Sequence, residues 1–175
     1  MNGDQVSGTI FNSGILQGQG TGSGNLAGHG LRFIGGAGTH GTAVFTSDVV
    51  NEGVISGSAD SDLAAGISIE DTGVSGTIVN NGVISGSQVA IDATTATSSV
   101  NVFNQGDING DVLFGSANDV LTFTGEGSIY GAIDGGAGFD TLNVNFGNFD
   151  AGAAFVAGLD ISGFESILID GQVFV

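Results

Sequence analysis

Asp119 and Asp140 stand 21 residues apart in a chain that repeats itself at about that distance, so one coil would set their carboxylates side by side. Two neighbouring carboxylates can share a divalent cation, or they can cap corners by accepting turn amides. Other groups with chemistry to offer are sparse. His29 and His40 lie near Arg32, the only base in 175 residues, and together they would make a small site or ordinary loop. Asp60 with Asp62, or Glu70 with Asp71, would be the paired carboxylates of a glycosidase, but Trp is absent and Tyr130 is the only Tyr to act as a sugar platform. Enzymes that lift a proton from an acidic sugar need a cation beside the carboxylate, and one Arg is a poor supply. There is no Cys, so thiolate metal sites and disulfides are excluded. The expectation is a protein that is not an enzyme and requires no cofactor.

The charge balance narrows the partners. Eighteen acids against Arg32 give a net charge of −17. Nucleic acid needs a basic footprint, so it is excluded as a partner. Anionic lipid headgroups are disfavoured on the same ground. The acidity keeps a sheet-rich chain soluble, or part of it binds divalent cations. No apolar run approaches membrane-spanning length, so this chain is expected to insert into no membrane. Met1-Asn2-Gly3-Asp4 opens a polar segment unlike a signal peptide. The expectation is a fragment of a longer chain, with any export signal removed or lying outside it.

The elements that must position these acids are written in a seven-residue phrase, Asn-x-Gly-x-(Ile/Leu)-x-Gly. It begins at Asn12, Asn51, Asn80 and Asn104, with a worn fifth copy at Gly125–Gly131. Gly at both ends of a short apolar run gives turn, strand, turn. With 34 Gly, no Pro, 41% hydrophobic residues and 12 Phe, the composition suits a packed, coiled sheet rather than disorder. Alternation such as Leu142-Asn143-Val144-Asn145-Phe146 is period two, and no stretch has a helical period. A second strand follows each phrase (Ala65–Ile69, Val89–Asp92, Asp111–Phe114, Ala132–Asp134), and a third precedes the next (Val74–Val79, Val100–Phe103, Val120–Phe123).

Three short strands per coil predict an all-β chain: a right-handed parallel β-helix, or β-solenoid, of roughly seven to eight coils. Residues 1–175 read as one domain. Within it, 19–48 is an irregular segment holding an insertion or an extra short coil, and 146–175 are Phe-rich terminal coils. Ile15, Val54, Val83 and Ile108, or their immediate neighbours, are expected in stacked core columns, with the phrase Asn residues stacked at one corner. Thr9, Thr42, Thr77 and Thr122 are too irregular to form an ice-binding face.

The phrases, with Val89-Ala90-Ile91-Asp92, Gly135–Leu142 and Ile161–Ile167, resemble the passenger region of bacterial autotransporters over most of residues 49–171. The resemblance implies a surface-displayed or released rod of a Gram-negative bacterium, acting as an adhesin or a stalk. A host-surface or glycan receptor would then be the partner. Gly135-Gly136-Ala137-Gly138-Phe139-Asp140-Thr141-Leu142-Asn143 also resembles the calcium-binding nonapeptide of RTX β-rolls, with Gly115–Thr122 as a degenerate partner. That resemblance implies calcium at Asp119 and Asp140. True rolls repeat every nine residues, however, and the spacing here is that of a coil. Finally, the chain stops on strand-like Gln172-Val173-Phe174-Val175. Its last edge is therefore expected to be completed by downstream coils or by another copy, the latter giving filaments that calcium would stabilise.

Overall fold

The computed structural model describes residues 5–20, 28–35, 44–59, 64–124, 127–147 and 160–171. Among these, seventeen strands follow one another. They are β1 (Gln5–Asn12), β2 (Ile15–Gly20), β3 (Leu31–Ile34), β4 (Val44–Asn51), β5 (Val54–Ala59), β6 (Ile67–Glu70), β7 (Gly73–Val74), β8 (Thr77–Asn80) and β9 (Val83–Thr95). The chain continues through β10 (Asn101–Asn104), β11 (Asp107–Leu113), β12 (Val120–Thr124), β13 (Ser128–Tyr130), β14 (Ile133–Asp134), β15 (Thr141–Gly147), β16 (Ile161–Ser162) and β17 (Ser166–Gly171). The described chain is all-β.

Two parallel sheets take these strands in turn. The first runs β1-β4-β8-β10-β12-β15-β17, with β7 also on β4. The second runs β16-β14-β11-β9-β5-β2, with β13 on β11 and β6 joining β3 to β9. Each repeat thus gives one strand to the first sheet, passes a Gly-containing turn, and lays the phrase strand and its follower in the second. The phrase strand and the follower fuse in β9 and β11, where the register shifts beside Asn109 and Asp111. Gly110, at φ 123°, makes that bend.

Why the phrase demands Gly is visible in the stacking. A Cβ on Gly53 would sit 2.1 Å from the carbonyl oxygen of Gly14, one on Gly82 2.1 Å from that of Gly53, and one on Gly106 2.1 Å from that of Gly82. Each turn rests on the backbone of the turn before it. The bonds Val54 N–H to Gly14 O, Val83 N–H to Gly53 O and Asp107 N–H to Gly82 O, each 2.8 Å, hold that spacing.

The core lies between the sheets in columns. From the first sheet come Val49, Ile78, Val102, Leu121 and Leu142, in register and all buried. From the second come Ile55, Ile84, Ile108 and Ile129, with half-buried Leu16 ahead of them. This decides between the two alternatives in the phrase. Ile108 is in the core, but Ile15 is 72% exposed and its column partners Val54 and Val83 face outward beside it. Their neighbours Leu16, Ile55 and Ile84 point in. Aromatic pairs lie toward the two ends of the core, Phe33 against Phe45 at 5.0 Å and Phe114 against Phe164 at 6.3 Å, both edge-on.

The phrase asparagines form the expected corner stack, and it is hydrogen-bonded throughout. Asn12 Nδ2 donates to Asn51 Oδ1, Asn51 Nδ2 to Asn80 Oδ1 and Asn80 Nδ2 to Asn104 Oδ1, each at 2.8 Å. The ladder ends at Asn104 because Phe123 and then Val144 occupy the same register position. There Asn104 Nδ2 turns to the carbonyls of Gly106 and Ser128.

Candidate functional site

Asp119 and Asp140 precede β12 and β15, whose first residues pair in register, so the two acids stack as their spacing suggested. Both side chains are buried. Their carboxylates point back toward the preceding strand. Asp119 Oδ1 accepts the Val100 amide at 2.6 Å and its Oδ2 the Gly115 amide at 3.3 Å. Asp140 Oδ1 accepts the Asp119 amide at 2.6 Å. Glu165 Oε2 then accepts the Asp140 amide at 2.8 Å and extends the column by one repeat. Three acids thus each cap the amide of the repeat before them, which would otherwise be left without a partner at a corner.

The nonapeptide glycines serve the same corner. Gly136 and Gly138 have φ of 81° and 140°, and a Cβ on either would lie 2.1 Å and 2.3 Å from the carbonyls of Gly115 and Ala117. Calcium takes six to eight oxygens. Of the four carboxylate oxygens on Asp119 and Asp140, three are engaged by amides, and Asp140 Oδ2 is left buried with no partner. A cation reading rests on that one oxygen; the amide bonds belong to the capping reading.

Burial pushes the Asp119 carboxyl above the usual carboxylate range, with the charge on Asp140 adding to it, against the pull of the Val100 and Gly115 amides. An acid whose folded titration point is raised contributes stability below its unfolded titration point, and that stability is lost as pH rises through the folded one. Asp119→Asn keeps an oxygen for the Val100 amide and removes the charge. Its Nδ2 then faces the Gly115 amide that Oδ2 accepted, which offsets the gain from removing the charge, so the expected result is a smaller stability gain on mild acidification than the parent shows. Parallel melting curves across that range for the two proteins check it.

The second cluster was only half legible. His29 and Arg32 do come together, and the residue joining them is Glu70, 38 positions after Arg32. Arg32 Nε donates to Glu70 Oε1 at 2.7 Å, and its Nη2 bonds Glu70 Oε2. Ser68 Oγ adds a bond to Oε1 at 2.7 Å. The guanidinium hydrogen bonds hold the Glu70 carboxyl below its usual range and raise Arg32 in turn. His29 Nδ1 accepts the Ala65 amide at 3.0 Å, and Nε2 lies 3.8 Å from Glu70 Oε1.

Glu70 is therefore committed to Arg32 and Ser68 rather than facing Asp71 across a cleft. Asp71 itself sits in a turn at φ 49°. Asp60, Asp62 and His40 lie outside the described residues. Reading the sequence missed Glu70 as the partner of Arg32, and Glu165 as the third acid of the column. Glu165 was detectable, since it directly precedes the last described strand at nearly one repeat from Asp140. Among the described residues, no three His, Asp or Glu side chains gather in a group that would hold a metal ion. Compared with family models, curated proteins and solved structures, the chain matches none of them.

Proposed function

We propose that the chain winds as a right-handed parallel β-helix of about seven coils and serves as a non-catalytic extracellular rod. In this reading it is an autotransporter-type passenger at the outer surface of a Gram-negative bacterium, working as an adhesin or a structural stalk. The observation that carries it is the first sheet: seven strands in one parallel register, with the Asn ladder and apolar columns running along the stack. A stack of that kind resists shear along its whole length and presents a long lateral face. The acids support the same reading, because Asp48, Asp111, Asp119, Asp140 and Glu165 accept backbone amides and Glu70 holds Arg32. Seven coils at ~4.8 Å make a rod on the order of 35 Å long.

A second reading is a filament or surface-coat subunit stabilised by calcium. It is favoured by the unpartnered Asp140 Oδ2 and by the exposed Ile167, Leu168 and Ile169 on β17, the last strand of the first sheet.

One set of measurements separates the readings. Small-angle scattering should give a short rod, and protein-coated beads should hold to a subset of a glycan and matrix-protein panel if the rod is an adhesin. Rods that bind nothing on the panel support the stalk. Growth of scattering mass on adding calcium, with a raised melting temperature, would favour the filament. Cleavage of any polysaccharide in the panel would overturn the non-catalytic reading.

A further inference from the structure

We propose that His29, with Glu70 and Arg32, is an acid-operated latch that fastens β3 to the edge of the second sheet and loosens it when the imidazole takes a proton. Among the described residues β3 pairs with β6 alone. Its backbone bonds are few: Gly30 N–H to Ala65 O, Leu31 N–H to Gly66 O and Gly35 N–H to Glu70 O flank the four-residue pairing. Besides the Ser58 N–H bond to Gly28 O and the buried Phe33, the ties among the described residues are the Arg32–Glu70 fork and the Ala65 amide given to His29 Nδ1.

That last bond fixes the protonation state. A ring nitrogen that accepts an amide proton carries none itself, so His29 is neutral with its hydrogen on Nε2. The imidazolium has a hydrogen on both nitrogens. Nδ1–H would then face Ala65 N–H, donor against donor, and the ring must turn away and leave that amide bare.

The groups that face His29 set the direction. Burial disfavours the cation and Arg32, on the same strand, repels it. Glu70 on β6 and Asp92 on β9 attract it, while the Ala65 amide, a donor aimed at Nδ1, opposes its protonation. The unfavourable group prevails, and the titration point falls below that of an ordinary His. A lowered point means stability that is present above the unfolded titration point and lost as pH falls through the folded one. Glu70 cannot compensate fully, because Arg32 and Ser68 already occupy its oxygens. Release would unpack Phe33 from Phe45 and bare the β6 edge at Ile67–Glu70.

The test is amide hydrogen exchange by NMR from about pH 7.5 down to about pH 5, corrected for intrinsic rates, with the His29 ring protons followed in the same samples. The Ala65, Leu31 and Gly35 amides should lose protection several-fold, with a midpoint that coincides with the His29 titration. Central amides such as those of Val102 and Ile108 should not follow. In His29→Asn, Oδ1 can accept the Ala65 amide in place of Nδ1 but does not titrate, so protection should become independent of pH. Equal protection at both ends of the range overturns the latch, as does acid loosening that persists in His29→Asn. So does a His29 titration above the ordinary range, which would mean that Glu70 tightens the latch on protonation. If the variant does not fold, the match or mismatch of the two parent midpoints decides.

Discussion

Ile84→Asp should leave the chain without a cooperative unfolding transition at neutral pH. Ile84 is wholly buried in β9, between Ile55 of β5 and Ile108 of β11, and its Cγ2 lies within 2.8 Å of where a Cβ on Gly66 would be. The carbonyls of Ser85 and Ala90 lie beside the same point, so a carboxylate there would meet acceptors and not donors. Losing the side chain alone costs about 2–5 kcal/mol, and stranding a carboxylate between stacked strands adds several more. That sum reaches the whole stability of a typical domain, about 5–15 kcal/mol. Ile15→Asp is the matched control. It alters the residue at the adjacent outward position of the phrase, 72% exposed, and should shift stability by less than about 0.5 kcal/mol. Urea melts followed by circular dichroism check both. Comparable losses in the two variants would mean that the inward face has been assigned wrongly.

The pair also marks where the sequence was readable and where it was not. Three copies of the phrase hold two consecutive apolar residues, Ile15-Leu16, Val54-Ile55 and Val83-Ile84, and a period of two cannot say which one faces in. The fourth copy, Asp107-Ile108, breaks the tie, since a charged residue belongs outside; the worn copy, Ser128-Ile129, agrees. The signal was present in the copies that look least like the others. The Asn and Gly of the phrase were legible because a ladder needs an amide at each repeat and the turns touch backbone to backbone.

Asp119 and Asp140 were legible as a stack because their spacing equals the local repeat. The Arg32–Glu70 contact was not, because their separation of 38 positions spans the irregular segment, where no period predicts which positions align.

Asn80→Asp should cost about 4 kcal/mol or more at neutral pH, although it changes one atom of the side chain for another of equal size. Asn80 is wholly buried, and both ends of its amide are in use. Oδ1 accepts from Asn51, while Nδ2 donates to Asn104 Oδ1 at 2.8 Å and to the Asp107 carbonyl at 3.1 Å. A carboxylate can still accept from Asn51, but its second oxygen then faces two acceptors, and a charge has entered a site with no cation. Acidification should return part of the loss. The new carboxyl titrates well above the ordinary range in the folded state, so its penalty shrinks as pH falls through that raised point, and once protonated it donates one of the two lost bonds. Asn80→Leu should be the milder change at neutral pH, at about 2–3 kcal/mol, because Asn51 Nδ2 keeps the Val83 carbonyl and the acceptors left bare at Asn104 and Asp107 face no buried charge. The chain tolerates apolar residues at this register position in Phe123 and Val144, but only beyond Asn104, where the ladder has ended. Melting curves of both variants at neutral and acidic pH measure the difference. If Asn80→Asp loses less than about 1 kcal/mol and shows no pH dependence, the column is held by packing alone and the amide ladder contributes nothing.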